Sequence, residues 1–397
     1  MEGKNKLTET YMPDKAARKD RVVVGLSGGI DSMVSAYLLK IQRYDLIGVT
    51  IAPQLNDYPK EQSSLFSCGI TEKKIEALAA FCHQLGIPHH VVRISSEFRE
   101  TVVERWVARK AAGEMPDQCW ACHALRMEFL HEKMKELGAK QLATGHFAKI
   151  FRHDAESLTY VQTSNDEVND QSALLSRLPQ EILKDFMLPL SDLQKKEVLK
   201  LAENFGVFEG DKKISPFQCF PENEDTIQYL ETRLPPRFRK AGVVVTDSEE
   251  RMDDHEGVHK IRKGEEIIMT DDRVPLYFSK YLIAERKVIL REASWFERSR
   301  IVLRSCLIPP ETPWLTPFRG VLVKDSKQFE AWFYPKSLSS CVVEFDSPVT
   351  IMEGETLSVL KKKGKNARVL LSGCACFIEE EKTEGDVNVK VDYAREF

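Results

Sequence analysis

No apolar run in the chain approaches the roughly 20 residues that a bilayer-spanning helix needs, and the N-terminus lacks the apolar core of an export signal. A membrane-embedded or exported protein is therefore not expected, and the cytoplasm is the expected compartment. Positive charge is not in excess either. With 57 Lys and Arg against 61 Asp and Glu the formal charge is −4, so any contact with nucleic acid must come from local patches and not from the field of a polycation. There is no internal repeat and no low-complexity tract. The glycine-rich stretch near the N-terminus has neither the Gly-Lys-Ser/Thr ending of a Walker A loop nor the G-x-G-x-x-G of dinucleotide folds, which sets aside two familiar nucleotide-binding motifs. An even cysteine count is also missing. Nine cysteines without an export signal point to thiol chemistry or metal ligation, not to a disulfide scaffold.

What is present is a soluble composition, 42% hydrophobic and 30% charged over 397 residues, enough chain for two or three buried cores. Its most informative stretch is Ser27-Gly28-Gly29-Ile30-Asp31-Ser32. An apolar strand, Val22-Val23-Val24-Gly25-Leu26, leads into it, and an apolar helix from Met33 to Leu39 leads out. Strand, glycine turn and helix start together point unpaired backbone N–H groups and a positive dipole end at an anion. Gly28 and Gly29 let the main chain approach phosphate oxygens, the Ser27 and Ser32 hydroxyls add donors, and Asp31 can hold a magnesium ion. The plain alternative is a glycine turn that caps an ordinary helix. The stretch resembles the PP-loop of the ATP pyrophosphatases, which split ATP between its α and β phosphates to adenylate an oxygen.

The pattern predicts an α/β fold: a parallel-sheet PP-loop nucleotide-binding domain, then a small β-rich central domain and a C-terminal β-barrel. The expected divisions are a mobile tail over 1–20 and domains over 21–218, 219–293 and 294–397. Strands are expected over Leu46–Ile51, His89–Ile94 and Gln141–Thr144, with helices over Glu72–Leu85 and Arg126–Leu137. Ligands of open α/β sheets sit at the carboxyl ends of strands, so Ser27, Thr50, Gly145 and His146 are expected around one crevice. Late β-type runs, among them Val321–Val323, Ala331–Tyr334, Cys341–Phe345, Thr356–Leu360, Arg368–Leu371 and Cys374–Ile378, predict a six- or seven-stranded barrel or sandwich. Lys361-Lys362-Lys363-Gly364-Lys365 reads as a solvated hairpin turn before it reads as an RNA contact. Trp106, Trp120, Phe147 and Trp314 have the rings to stack on bases, though core packing is commoner for each.

Several further segments occur in a fixed order: Glu136-Leu137-Gly138-Ala139-Lys140-Gln141-Leu142-Ala143-Thr144-Gly145-His146-Phe147, Asp170-Gln171-Ser172, Leu188-Pro189-Leu190 with Lys196-Glu197-Val198, Gln218-Cys219-Phe220, and His255-Glu256-Gly257. Together with Val343-Glu344-Phe345-Asp346-Ser347-Pro348 they resemble the bacterial tRNA-specific 2-thiouridylases from about residue 21 to the end. The resemblance implies a two-stage reaction, in which ATP adenylates the C2 oxygen of a tRNA uridine and a protein-borne sulfur then displaces AMP. It implies that Gly25, Leu26, Ser27, Gly28, Gly29, Ile30, Asp31 and Ser32 bind ATP with Mg2+, that Ile51 flanks the adenine and that Gly145 lines the nucleotide site. It also implies that His146, Asp170 and Gln171 approach the RNA, that Asp117 assists proton transfer, that Cys219 handles sulfur, and that a sulfur donor or carrier protein supplies it.

The second sulfur residue is where this chain departs from the pattern. The family has an Asp, two residues, then one reactive Cys, whereas Asp117-Gln118-Cys119-Trp120-Ala121-Cys122 has two cysteines. Counting back from Cys122 places Cys119 where the family has its Asp, which favours Cys122 as nucleophile. The C-x-x-C pair also resembles a second group of tRNA thiolases, in which such a pair and a distant third cysteine hold a [4Fe-4S] cluster, here Cys119, Cys122 and Cys219. Persulfide chemistry on the same three residues stays open, as do a structural zinc site completed by His123 and an inert thiol pair at a helix start. Elsewhere the RNA-facing charge is reduced: Asn169 and Glu265-Glu266 stand where the family has basic or amide residues.

Overall fold

A computed structural model of the chain describes residues 20–53, 70–115, 118–153, 158–207, 220, 223–269, 274–307, 316–324, 327–337, 339–364 and 367–377. Residues 1–19 of the expected tail lie outside them.

Five short strands make one parallel sheet: β1 (Arg21–Gly25), β2 (Asp45–Pro53), β3 (His89–Ile94), β4 (Gln141–Ala143) and, beyond two further strands, β7 (Phe186–Met187). Their order is β3-β2-β1-β4-β7, every pair parallel. Val22, Val23 and Val24 of β1 are all fully buried, as a central parallel strand covered on both faces requires. One face is covered by α1 (Ile30–Ile41), α2 (Glu72–Leu85) and a later helix, α5 (Lys195–Asn204), through Met33, Leu38, Leu78 and Leu201. The other face is covered by α3 (Glu104–Ala111) and α4 (Gln118–Glu136), through Trp106, Cys122, Leu125 and Leu130. The chain runs from β1 outward to β3 and returns to β4 on the opposite side, so the order reverses between β1 and β4, and an open α/β sheet forms its ligand crevice at that reversal.

Helix α4 starts about two turns before the expected Arg126. Gln118, Cys122 and Leu125 are buried in the first turns, and this tertiary burial carries the helix back through the C-x-x-C segment. The hairpin of β5 (Lys149–His153) and β6 (Leu158–Gln162) follows β4.

Next come α6 (Glu224–Arg233), its first turn capped by Asn223 Oδ1 accepting from Thr226 N at 2.9 Å, and a five-stranded sheet of β8 (Gly242–Thr246), β9 (Arg251–His255), β10 (Glu266–Met269), β11 (Pro275–Leu282) and β12 (Lys287–Glu292). The last six strands close into a barrel: β13 (Glu297–Leu307), β14 (Phe318–Lys324), β15 (Lys327–Ser337), β16 (Ser340–Thr350), β17 (Thr356–Leu360) and β18 (Val369–Cys376). The runs expected as two strands, Arg368–Leu371 and Cys374–Ile378, are a single strand in which Gly373 pairs with Leu357 instead of turning the chain.

The barrel is fused to the first sheet's core. Thr163 N donates to Ala367 O at 2.9 Å, Ala367 N donates to Thr163 Oγ1 at 2.8 Å, and the Arg368 guanidinium lies over the Tyr160 ring. Val321, Leu360 and Val369 share one apolar cluster with Val23 and Cys122. The lysine turn between β17 and β18 is exposed at Lys361, Lys362 and Lys363, with Lys363 paired to Glu330 at 2.9 Å. Among the described residues no helix is long and apolar enough to cross a membrane.

Candidate nucleotide and sulfur site

The turn from β1 into α1 is organised by its own side chains. Ser32 Oγ donates to Gly29 O at 2.8 Å and accepts from Ser27 N at 3.3 Å, and Gly29 N donates to Ser27 Oγ at 3.3 Å. Gly28 has φ +80°, a left-handed conformation that a side chain would strain. Gly29 caps α1 without a side-chain bond, so the first N–H groups of the helix stay available to an anion. Gly145, after β4, lies against that helix start. A Cβ there would stand 2.6 Å from Asp31 C and Ser32 N, so only glycine lets the two backbones meet. The expected loop residues therefore assemble with Gly145 across the sheet reversal.

Other expected nucleotide residues have packing roles. Gly25 ends β1 beneath Leu130, Leu26 is a core residue, and the Ile51 side chain is buried in the cluster that holds Val23 and Cys122. Thr50 does not line the crevice as expected: it is fully buried, donates to Leu26 O at 3.1 Å and meets His89 Nε2 at 2.9 Å. Strand β2 continues buried through Ile51 and Ala52 to Pro53, so Thr50 lies inside the sheet and satisfies its hydroxyl there.

Asp31 is ion-paired. Lys195 Nζ, at the first position of α5, lies 2.5 and 2.7 Å from the two carboxylate oxygens and 5.7 Å from the centroid of the Phe147 ring. The two side chains remain 31% and 34% exposed, within reach of a ligand. Lys195 N donates to Asp166 Oδ2 at 2.7 Å. Gln194 caps the helix in a box with Glu197, whose Oε2 accepts from Gln194 N at 2.7 Å. Sequence reasoning missed Lys195. The signal was a lysine at the head of an amphipathic helix three residues ahead of Val198, but nothing local ties it to a loop 164 positions earlier. Lys74 is a second cation beside the turn, its stem at contact distance from Gly28.

On the other face of the sheet, α4 carries both thiols of the C-x-x-C pair. Cys122 is buried in the apolar cluster and Cys119 is half-buried against it; neither is in a disulfide. Positions i and i+3 of a helix are neighbours, so the pair is on one side of α4. Asp117 and Cys219 lie outside the described residues. Phe220, which follows Cys219, belongs to the same cluster as Cys122; its ring stacks on Trp106 with centroids 4.3 Å apart, and its φ is +58°. A phenylalanine in left-handed backbone is held there only by strong packing around it. Among the described residues no three His, Cys, Asp or Glu side chains are grouped to hold a metal. His123 accordingly does not complete a zinc site with the pair. Its ring stands at 88° to that of His146, centroids 5.0 Å apart, and its buried Nε2 has no hydrogen-bond partner among the described residues.

The expected RNA residues have internal partners. His146 Nδ1 bonds Thr144 Oγ1 at 2.8 Å, and burial pushes its pKa down to about 4. Burial, with His146 and Arg126 nearby, also holds His123 well below the usual imidazole value, so both rings are neutral at pH 7. Asp170 accepts from Ser164 N, Ser172 N and Ser172 Oγ at 2.5, 3.1 and 2.5 Å, and its carboxyl is raised above the ordinary range by burial. Gln171 grips the Phe147 backbone at both ends, Oε1 accepting from its N–H at 3.1 Å and Gln171 N donating to its C=O at 2.8 Å. Trp106 and Phe147 are buried, Trp120 has Arg177 over its ring at 5.3 Å, and Trp314 lies outside the described residues. Burial also pushes the thiols of Cys82 and Cys341 up to about 12, which makes them inert at pH 7.

Comparison with known proteins bears on this arrangement. A family model described as tRNA methyl transferase HUP domain matches residues 20–223. The chain is 31% identical over 391 residues to the tRNA-specific 2-thiouridylase MnmA of Rhizobium johnstonii, covering 94% of this chain and 92% of that protein. It is 33% identical over 286 residues to the protein of the same name from Rhodopseudomonas palustris, covering 72% and 71%. Among solved structures, the U34-tRNA thiolase NcsA of Methanococcus maripaludis, described with its [4Fe-4S] cluster, aligns at 19% identity over 57% of this chain and 70% of its own, with a TM-score of 0.34. With the family model spanning half of the sequence and a relative aligned over nearly all of it, the chain belongs to the tRNA-specific 2-thiouridylase family of PP-loop proteins.

Proposed function

We propose that the protein is an ATP-dependent sulfurtransferase that replaces the C2 oxygen of a tRNA uridine with sulfur, acting in the cytoplasm and supplied by a separate sulfur donor or carrier protein. The observation that carries this reading is one apolar cluster: Val23 and Ile51 of the strands behind the PP-loop, Cys122 of α4 and Phe220 beside Cys219 are all members of it. The ATP turn and the sulfur-bearing segments are thus supported from one core.

The chemistry follows from the leaving group. A carbonyl oxygen departs poorly. Attack of the uridine O2 on the α-phosphorus of ATP forms the adenylate and releases pyrophosphate, and AMP then departs readily. Ser27, Gly28, Gly29, Ile30 and Ser32 hold the phosphate chain with backbone N–H groups and hydroxyls at the head of α1, beside Gly145. The Asp31 carboxylate suits Mg2+, an ion that binds one or two carboxylates together with substrate phosphates. Bound there, Mg2+ would neutralise charge that builds on the departing pyrophosphate. A persulfide sulfur on Cys219 or Cys122 attacks C2 and expels AMP. The other thiol then attacks the sulfur of the carrier cysteine, which forms a protein disulfide and releases the 2-thiouridine; an external thiol reductant resets the pair. Cys119 lies one helical turn from Cys122 on α4. Of the three thiolates that a [4Fe-4S] site of this kind needs, Cys119 and Cys122 are among the described residues. His146, Asp170 and Gln171 shape the RNA side of the crevice by fixing the Phe147 backbone and the loop after Ser164, and Asp117 is the candidate proton carrier.

Nucleoside mass spectrometry of tRNA from cells with and without the gene tests the reading. Loss of one 2-thiouridine derivative on deletion, restored by the intact gene, is expected. Unchanged thiolated nucleosides together with ATP-dependent pyrophosphate release by the purified protein would point instead to adenylation of another acceptor.

A further inference from the structure

The ion pair of Asp31 has a consequence for nucleotide binding. Lys195 Nζ bonds both carboxylate oxygens, at 2.5 and 2.7 Å, so a magnesium ion that approaches either oxygen meets a like charge already seated there. We propose that Lys195 is a phosphate-binding residue of the ATP site, one that guards Asp31 until MgATP arrives, then yields the carboxylate to the metal and moves its ammonium onto the phosphate chain. The inference rests on the ATP-dependent reading above and deepens it.

Three features carry it. The pair stands at the head of α1, beside the turn where backbone N–H groups face an anion, so a displaced ammonium has phosphate oxygens within reach of its flexible four-carbon stem. The backbone of Lys195 is fixed independently of its side chain. Its N–H is taken by Asp166 at 2.7 Å and its helix start by the Gln194–Glu197 box, so only the stem has to rotate. Finally, the ammonium lies over the Phe147 ring, 5.7 Å from its centroid, so the carboxylate is not the one group there that favours a cation. A pair with each side chain about one-third exposed adds little to folding, so a purely structural role explains neither its place nor its exposure.

The relation between Lys195 and Asp31 predicts a reversal of sign that folding stability alone would not produce. Calorimetric titration with MgATP, and with ATP in excess chelator, is carried out on the wild-type protein and on Lys195→Met, Lys195→Arg and Asp31→Asn. Wild type binds MgATP. Lys195→Met weakens MgATP about 10- to 100-fold, the loss of one charge-assisted contact, and Lys195→Arg recovers most of it. Asp31→Asn weakens MgATP but binds metal-free ATP several-fold more tightly than wild type, because the ammonium is released and a like charge is removed. That gain disappears in the Asp31→Asn, Lys195→Met double variant. If Lys195→Met binds MgATP as wild type does, and Asp31→Asn gains nothing for metal-free ATP, the lysine is structural and the inference is overturned. A wild-type protein that does not bind MgATP overturns the ATP reading itself, and that result appears in the first titration. If Lys195→Met does not fold, the metal-free titration of Asp31→Asn decides.

Discussion

At the head of α1 the turn is held by neighbours a few residues away: Ser27, Gly29 and Ser32 bond one another, the helix start leaves its N–H groups facing outward, and Asp31 of this stretch draws a distant partner, Lys195. Around α4 the opposite holds. Cys122 belongs to a cluster that draws residues from β1, β2, α3 and Phe220, segments distant from it in sequence. A site made of main chain tolerates change in the surrounding side chains so long as the turn keeps its shape, whereas a site made of side chains from separate segments depends on a core that holds those segments together. Breaking one end should therefore leave the other intact.

The largest separation is expected from Cys122→Ser. Thiolation of tRNA should fall by at least about 10³-fold, as for loss of a nucleophile, while pyrophosphate release and MgATP affinity stay near wild type. Parallel loss of pyrophosphate release would mean that the two ends are not separable, and Cys119→Ser in the same assay assigns the second thiol. Next comes Phe220→Ala. Removing a buried ring stacked on Trp106 should cost about 3–5 kcal/mol of stability. At a temperature where the variant is still folded, thiolation should be lost ahead of MgATP binding; a variant with full thiolation would separate Phe220 from the placement of Cys219. On the nucleotide side Gly145→Ala forces a Cβ against the Asp31 and Ser32 backbone, a close contact with no flexible side chain to give way. A stability loss of about 1–3 kcal/mol is expected, together with weaker MgATP binding and no change in thiol reactivity toward a labelling reagent. Wild-type MgATP affinity in this variant would show that the crevice does not include the end of β4.

The same contrast explains what was legible in the sequence. Eight consecutive residues, Gly25 to Ser32, carry the turn, and their meaning depends only on a strand before and a helix after, so both could be read directly. Helices such as Glu72–Leu85 were equally plain because Thr71 caps one end and Gly86 closes the other. The barrel strands are legible as runs, but the break expected between Arg368–Leu371 and Cys374–Ile378 is not there, because Gly373 pairs with Leu357 and the strand continues. Helix α4 was read short because its first turns carry the thiol motif and their burial is set by the sheet beneath. The Asp31–Lys195 pair and the His123–His146 contact were not legible, since each joins distant positions through the tertiary fold alone. Asp170 and Gln171 are expected to approach RNA; the internal bonds of the Asp170 carboxylate and of Gln171 Oε1 are made by tertiary neighbours that the local sequence does not announce.

The smallest effect expected, and the one that reaches both ends of the sheet, concerns pH. His123 follows Cys122 on α4, and His146 follows Gly145 at the nucleotide crevice, and their rings meet edge to face. Both are held neutral by burial: His146 titrates at about 4 and His123 well below the usual 6.5. In the unfolded chain each imidazole takes a proton near 6.5, so between that value and about 4 the unfolded state binds protons that the folded state refuses. Stability therefore rises with pH across this window and falls as the pH is lowered through it. His123→Asn removes one of the two groups and the repulsion between them. Its Tm should be below wild type at pH 7.5, where the ring contact is lost, yet should decline less steeply toward pH 4.5. Parallel Tm curves for the two proteins would mean that the histidine pair does not couple the thiol helix to the nucleotide crevice, and that the two ends meet only through the apolar core.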